Sequence, residues 1–138
     1  MAGVKTASVR WLEDSTFETT TGSGHKSTIE GGSQVRGPSP MELVLVGLAG
    51  CTAMDVVDIM KKKRLDVKGL EVRVEGTRAD TYPMVYNCID VVYIVRGKNI
   101  PSSEVEHAIK LSEEKYCSVG EMLGKTVQIN HRFEIIPA

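Results

Sequence analysis

The chain has 138 residues, a formal net charge of -1, 41% hydrophobic residues and only 5% aromatic ones. Those values fit one domain over 1–138 with an aliphatic core, and they exclude the basic stripe with interleaved aromatics that a nucleic-acid surface needs. Three cysteines are poor material for a disulfide framework, and the histidines (His25, His107, His131) form no close pair with one another or with a cysteine, so neither a structural metal nor a cofactor is indicated.

The first third is polar and rich in Thr, Gly and Ser. Its alternation predicts short strands over Val4–Trp11 and Phe17–Thr21, a turn at Gly22-Ser23-Gly24, and a return strand from His25 to Glu30. A loop follows from Gly31 to Pro38, with Arg36 as its only charge.

The strongest signal is a central helix. Ser39 is a good N-cap, Pro40 suits the first helical position, and Glu42 completes a Ser-x-x-Glu capping box. Leu43, Val46, Gly47, Gly50 and Met54 follow at spacings of three and four. The apolar run from Leu43 to Met54 is about a dozen residues, short of the roughly 20 that a membrane span requires. It reads as a core helix of a soluble, cytoplasmic protein. The basic run Lys61-Lys62-Lys63-Arg64 complements the negative end of the helix dipole. One small sheet can cover only one side of a helix this apolar, so a second copy of the chain is expected on the other.

Beyond Asp66 the period changes to two. Leu70, Val72 and Val74 alternate with charged residues, and Val85–Val95 is a second, more apolar strand. Pro101 and Ser103 open another helix, with a Ser103/Glu106 capping box and a face of Val105, Ala108, Ile109, Ser112 and Tyr116. Ser118 and Glu121 suggest a third capping box, on a short helix that Gly124 stops. Val127, Ile129, His131, Phe133 and Ile135 alternate in a closing strand. Strands and helices segregate in this order, which is an α+β fold.

Two cysteines could do chemistry. Cys51 lies among Ala49, Gly50, Thr52 and Ala53. It is either a small buried hydrophobe or a nucleophile with room around its sulfur for a substrate, in a pocket of Leu, Val and Met. Cys117 precedes Ser118, at the positive end of a helix dipole that favours thiolate, or else is incidental to a helix connection. Cys88 falls in an apolar strand and reads as core.

The stretch Gly37-Pro38-Ser39-Pro40-Met41-Glu42-Leu43, followed by Gly47-Leu48-Ala49-Gly50-Cys51-Thr52, resembles the central-helix motif of the OsmC/Ohr family of osmotically inducible and organic hydroperoxide resistance proteins. Lys115-Tyr116-Cys117-Ser118-Val119 resembles that family's second-cysteine motif. The resemblance implies an intertwined α+β homodimer, with antiparallel sheets around a long buried central helix. It also implies that Cys51 attacks an organic hydroperoxide, that Cys117 resolves it, and that a dithiol reductant restores both. Peroxidase members carry a glutamate directly after the helix-opening proline. Here Met41 holds that position, and Glu42 follows about 100° further round the helix. The family's activating arginine belongs to the amino-terminal strand region, where this chain has Leu12-Glu13-Asp14-Ser15-Thr16. Arg10 and Arg36 are the nearest arginines.

The expectation is therefore a thiol peroxidase that uses Cys51 and Cys117, with Arg36 as thiolate stabiliser and Glu42 as the available carboxylate. The alternatives are a non-enzymatic dimer that holds a small apolar ligand or a protein in the same cleft, and a redox sensor.

Overall fold

A computed structural model describes residues 3–138. It contains two compact units, Met1–Val44 and Leu45–Ala138.

In the first unit, β1 (Ala7–Glu13), β2 (Thr16–Thr21) and β3 (Lys26–Glu30) form an antiparallel meander in the order β1-β2-β3. The β2–β3 turn closes on a hydrogen bond from the Thr21 N–H to the His25 carbonyl, with Gly24 at φ +90°. Only glycine takes that backbone without strain. The loop after β3 wraps around one carboxylate. Thr16 Oγ1, Ser33 Oγ and the Val35 N–H all donate to Glu30. Those donors hold the Glu30 carboxyl at a pKa of about 2, the Thr16 hydroxyl contributing most.

Helix α1 runs from Pro40 to Lys62, and its first turn belongs to this unit. The capping box forms as expected: the Ser39 N–H donates to Glu42 Oε1 at 2.9 Å, and the Glu42 N–H donates to Ser39 Oγ at 3.2 Å. The helix ends without glycine. Arg64 takes φ +60°, and the Leu65 N–H bonds the Met60 carbonyl across the turn, as in a Schellman motif.

In the second unit, β4 (Asp66–Arg78), β5 (Tyr86–Lys98) and β6 (Gln128–Pro137) form a sheet in the order β4-β5-β6. The pairing corrects one expectation. β4 and β5 are antiparallel, but β6 runs parallel to β5. Between them lie α2 (Ser102–Leu111), a π-helical turn (Ser112–Tyr116) and α3 (Ser118–Leu123). A crossover through helices returns the chain to the end where β5 began, so the next strand runs the same way.

The register stacks Val72, Tyr93 and Phe133 in one row across the sheet, and Val74, Val91 and His131 in the next. On this face Ile89, Val91, Tyr93 and Val95 are buried, along with Leu48, Thr52, Val56 and Met60 of α1 and Val105, Ala108 and Ile109 of α2.

The buried stripe of α1 therefore differs from the one the sequence suggested. Residues 48, 52, 56 and 60 repeat every four. Leu43, Val46 and Met54 are exposed, Val46 at 62% and Met54 at 75%. A helix that is apolar all round carries no period to say which stripe meets the sheet. By length and composition α1 could also cross a membrane; Leu48, Thr52, Val56 and Met60 are its buried residues.

Two helix starts also differ from expectation. Pro101 is the N-cap of α2 and no side chain caps it, so Ser103 and Glu106 form no box. Cys117, not Ser118, is the N-cap of α3, and its sulfur accepts from the Gly120 N–H. Gly124 does end α3.

Candidate functional site

The π-helical turn is what positions the site. It closes on a hydrogen bond from the Cys117 N–H to the Ser112 carbonyl, at a separation of five residues. The extra residue per turn rotates the chain off the α-helical face. Ser112 stays fully buried, while Tyr116, expected beside it, is half exposed. The same rotation directs Cys117 inward, at 4% exposure.

Cys117 meets α1 there. The ligating atoms of Cys51, Asp55 and Cys117 all lie within 4.8 Å of one another, and all three cysteines of the chain are free thiols. Cys51 and Asp55 are four residues apart on α1 and so share one side of the helix. The Gly120 N–H reaches Cys117 Sγ at 3.3 Å. A Cβ at Gly120 would sit 3.2 Å from that sulfur, a tight contact that the glycine avoids. The dipole expectation for Cys117 does not hold. Burial first, and then its hydrogen bond with Cys51, push its thiol up to about 11. Against those effects the single Gly120 N–H of a six-residue helix is too little.

A chain of buried hydroxyls runs from Asp55 to the other side of the site. Ser112 Oγ donates to Asp55 Oδ2 at 2.9 Å. A hydroxyl has one proton, so in the 2.8 Å bond between Thr52 and Ser112 it is Thr52 that donates. By the same count the Tyr93 hydroxyl donates to Thr52 Oγ1 at 2.9 Å. His131 Nδ1 then donates to the Tyr93 oxygen, also at 2.9 Å. This fixes neutral His131 as the Nδ1–H tautomer and turns Nε2 toward Glu113 Oε2, 3.8 Å away. Burial lowers the His131 pKa, against a weaker upward pull from Glu113, and burial raises the Tyr93 phenol to about 12. Among the described residues no buried side-chain nitrogen or oxygen lacks a partner. The imidazole also stacks on Tyr93, with ring centroids 5.8 Å apart.

Beside this network lies a cavity of about 260 Å³, lined by Cys117, Leu48, Glu113, Ile129 and His131 among others. It differs from the apolar pocket expected around Cys51, because it opens on Cys117 and mixes charged with aliphatic side chains. On the outer side of Cys51 the bare Gly47 and Gly50 leave open space.

The structure thus brings Cys51 and Cys117 together and leaves the other two candidates with structural partners of their own. Glu42 is exposed and engaged with Ser39. The Arg36 guanidinium pairs with Glu13 at 2.7 Å and Glu30 at 3.7 Å. Cys88 is not core. It lies half-buried on the opposite face of the sheet, where Asn130 Nδ2 approaches its sulfur at 3.4 Å. Sequence reading missed Asp55, Tyr93, Ser112 and His131. The only signal for His131 was a polar residue at an inward position of an alternating strand.

The chain is similar over residues 31–132 to the family described as OsmC-like protein. It is 42% identical over 132 residues to Protein YhfA of Escherichia coli K12, covering 96% of this chain and 98% of that one. A hypothetical protein from Aquifex aeolicus VF5 is 31% identical, with a TM-score of 0.90 and 99% of both chains covered. The organic hydroperoxide resistance protein OhrB of Bacillus subtilis is 14% identical, with a TM-score of 0.66, covering 96% of this chain and 98% of that one, and it shares the fold. With its helix-borne Cys51 facing Cys117 and its α+β order intact, this chain belongs to the OsmC-like family.

Proposed function

We propose that this protein reduces organic hydroperoxides through Cys51 and Cys117, as a homodimer in the reducing environment of the cytoplasm. The observation that carries the proposal is the approach of two free thiols, from helix α1 and from the cap of α3, to within 4.8 Å. Cys51 attacks the peroxide: its thiol and ROOH give the Cys51 sulfenic acid and the alcohol ROH. The Cys117 thiol condenses with that sulfenic acid, forming the disulfide and releasing water. An external dithiol then exchanges with the disulfide, restoring both thiols and becoming oxidised itself. Leu48, Val127 and Ile129 in the cavity beside Cys117 offer apolar contact to the organic group of an alkyl or aryl hydroperoxide. The exposed apolar face of α1, with Val46 and Met54, suits a second copy of the chain. Arg36 and Glu42 have structural partners, and the proposal rests on neither.

The test is mass spectrometry of the reduced protein after one equivalent of cumene hydroperoxide. An intramolecular Cys51–Cys117 disulfide is expected, and unreacted cysteines or oxidation confined to Cys88 would sink the mechanism.

A second reading is a non-enzymatic dimer that holds a small apolar ligand. It is favoured by the engagement of Arg36 with Glu13 and Glu30 and by the burial that keeps Cys117 a thiol. A Cys51→Ser variant whose peroxide consumption matches that of the parent would decide for it.

A further inference from the structure

We propose that reduced Cys51, Asp55 and Cys117 form a binding site for a thiophilic divalent cation of the Zn²⁺ class, and that metal binding and disulfide formation compete for the same two sulfurs.

The geometry is close to what such an ion needs. Tetrahedral zinc takes sulfur at about 2.3 Å and carboxylate oxygen at about 2.0–2.2 Å. Those lengths set ligand atoms about 3.5–3.8 Å apart. The three donor atoms here already lie within 4.8 Å of one another, so small χ rotations close the set. Cys51 and Asp55 come from one side of α1, and Cys117 comes from the cap of α3, so two elements converge on one point.

The donor chemistry selects the ion. Two thiolates and one carboxylate suit Zn²⁺, Co²⁺ or Cd²⁺ and disfavour Mg²⁺ and Ca²⁺, which take oxygen ligands. Three protein ligands leave a fourth position, and Cys117 lines the adjoining cavity, which can supply water to it.

A second observation supports the site independently of the cluster. A ligating carboxylate is ordinarily held by an outer hydrogen bond that orients it. Ser112 Oγ holds Asp55 Oδ2 at 2.9 Å and is itself held by Thr52 and, through it, by Tyr93. The Asp55 carboxylate is thereby oriented from outside the cluster, as a ligating carboxylate is.

Closing the pair to a disulfide removes two electrons and two protons to an oxidant and leaves no thiolate to coordinate. Zinc on the reduced pair in turn occupies both sulfurs and protects them from oxidation.

The experiment is a Co²⁺ titration of the reduced, full-length protein under argon, followed by its sulfur-to-cobalt charge-transfer band, with Zn²⁺ as competitor. One equivalent per chain with two-thiolate intensity is expected, and Zn²⁺ should erase the band. Asp55→Asn should weaken binding, Ser112→Ala should weaken it about 10–100-fold, Cys51→Ser and Cys117→Ser should abolish it, and Cys88→Ser should leave it unchanged. Circular dichroism checks that each variant folds. On the unmutated protein, Zn²⁺ should block iodoacetamide labelling of Cys51 while Cys88 still reacts. Prior oxidation with diamide should abolish binding. No band, a band that survives Cys51→Ser, or undiminished labelling in Zn²⁺ would each overturn the inference. None of these readouts uses hydroperoxide, so an inactive peroxidase that binds cobalt leaves the site standing, and an active one that ignores cobalt does not.

Discussion

The Tyr93 hydroxyl donates a 2.9 Å hydrogen bond to Thr52 Oγ1, tying the central strand of the second sheet to the buried side of α1. Because Tyr93 also accepts from His131 Nδ1, one phenol oxygen satisfies two buried groups. Tyr93→Phe leaves both without that partner, and each unsatisfied buried group costs about 1–3 kcal/mol. The expected loss is about 2–4 kcal/mol in a urea denaturation, with the slope unchanged. In the parent protein, nitrogen-15 NMR should show His131 neutral near pH 7 with its proton on Nδ1. A loss below about 0.5 kcal/mol, or an Nε2–H tautomer, would contradict the donor order derived for the chain.

Glu30 predicts an acid limit. Its folded pKa of about 2 lies below the ordinary carboxylate value of 4.5, so protonation favours the unfolded chain. The stabilisation is complete above 4.5 and is lost as pH falls from there toward 2. Glu30→Gln should flatten the pH dependence of thermal stability within that window and leave it unchanged near neutrality. An identical acid slope in parent and variant would show that other carboxylates control it.

Cys117 predicts an alkaline dependence of disulfide closure. With its thiol pushed up to about 11, only a small fraction is thiolate near neutrality, and it is the thiolate that attacks. The rate of disulfide formation from the Cys51 sulfenic acid should rise about tenfold per pH unit between about pH 7 and 9. A rate that is flat over that range, read by stopped-flow or quenched mass spectrometry, would place the Cys117 pKa far lower.

The capping box separates a structural Glu42 from a catalytic one. Ser39→Ala should cost about 0.5–2 kcal/mol of stability, and Glu42→Ala about as much. Glu42→Gln keeps an oxygen for the Ser39 N–H and should retain both stability and peroxide turnover. A large fall in turnover with Glu42→Gln, at unchanged stability, would instead give the carboxylate a chemical role.

The exposed apolar face of α1 predicts the oligomeric state. Val46→Lys or Met54→Lys places a charge where the proposed second copy would pack, and should convert a dimer to a monomer or unfold it. Light scattering of parent and variant at low micromolar concentration checks this. A parent that is already monomeric would remove the dimer from the proposal.

The type and order of the elements were readable because they are local properties. The Ser39/Glu42 box fixed the start of α1, alternation marked β4, β5 and β6, and Gly124 marked the end of α3. The stripe of α1 that meets the sheet was not readable, because an all-apolar helix offers several equivalent stripes and only the sheet chooses among them. Nor was the π-helical turn, since one extra residue in a helical turn leaves no mark in a 3.6-residue pattern. That turn buries Ser112 and Cys117 and exposes Tyr116.

The sequence by itself determined the elements of an α+β chain and its membership of the OsmC-like family. Only the tertiary structure decided that Cys117 meets Cys51 and Asp55, that β6 runs parallel to β5, and that His131 completes the hydroxyl chain from Asp55. The physical reason is distance along the chain. Propensity and periodicity act within a turn or two, whereas the groups of the site come from α1, β5, the π-helical turn, the α3 cap and β6, and only packing brings them together.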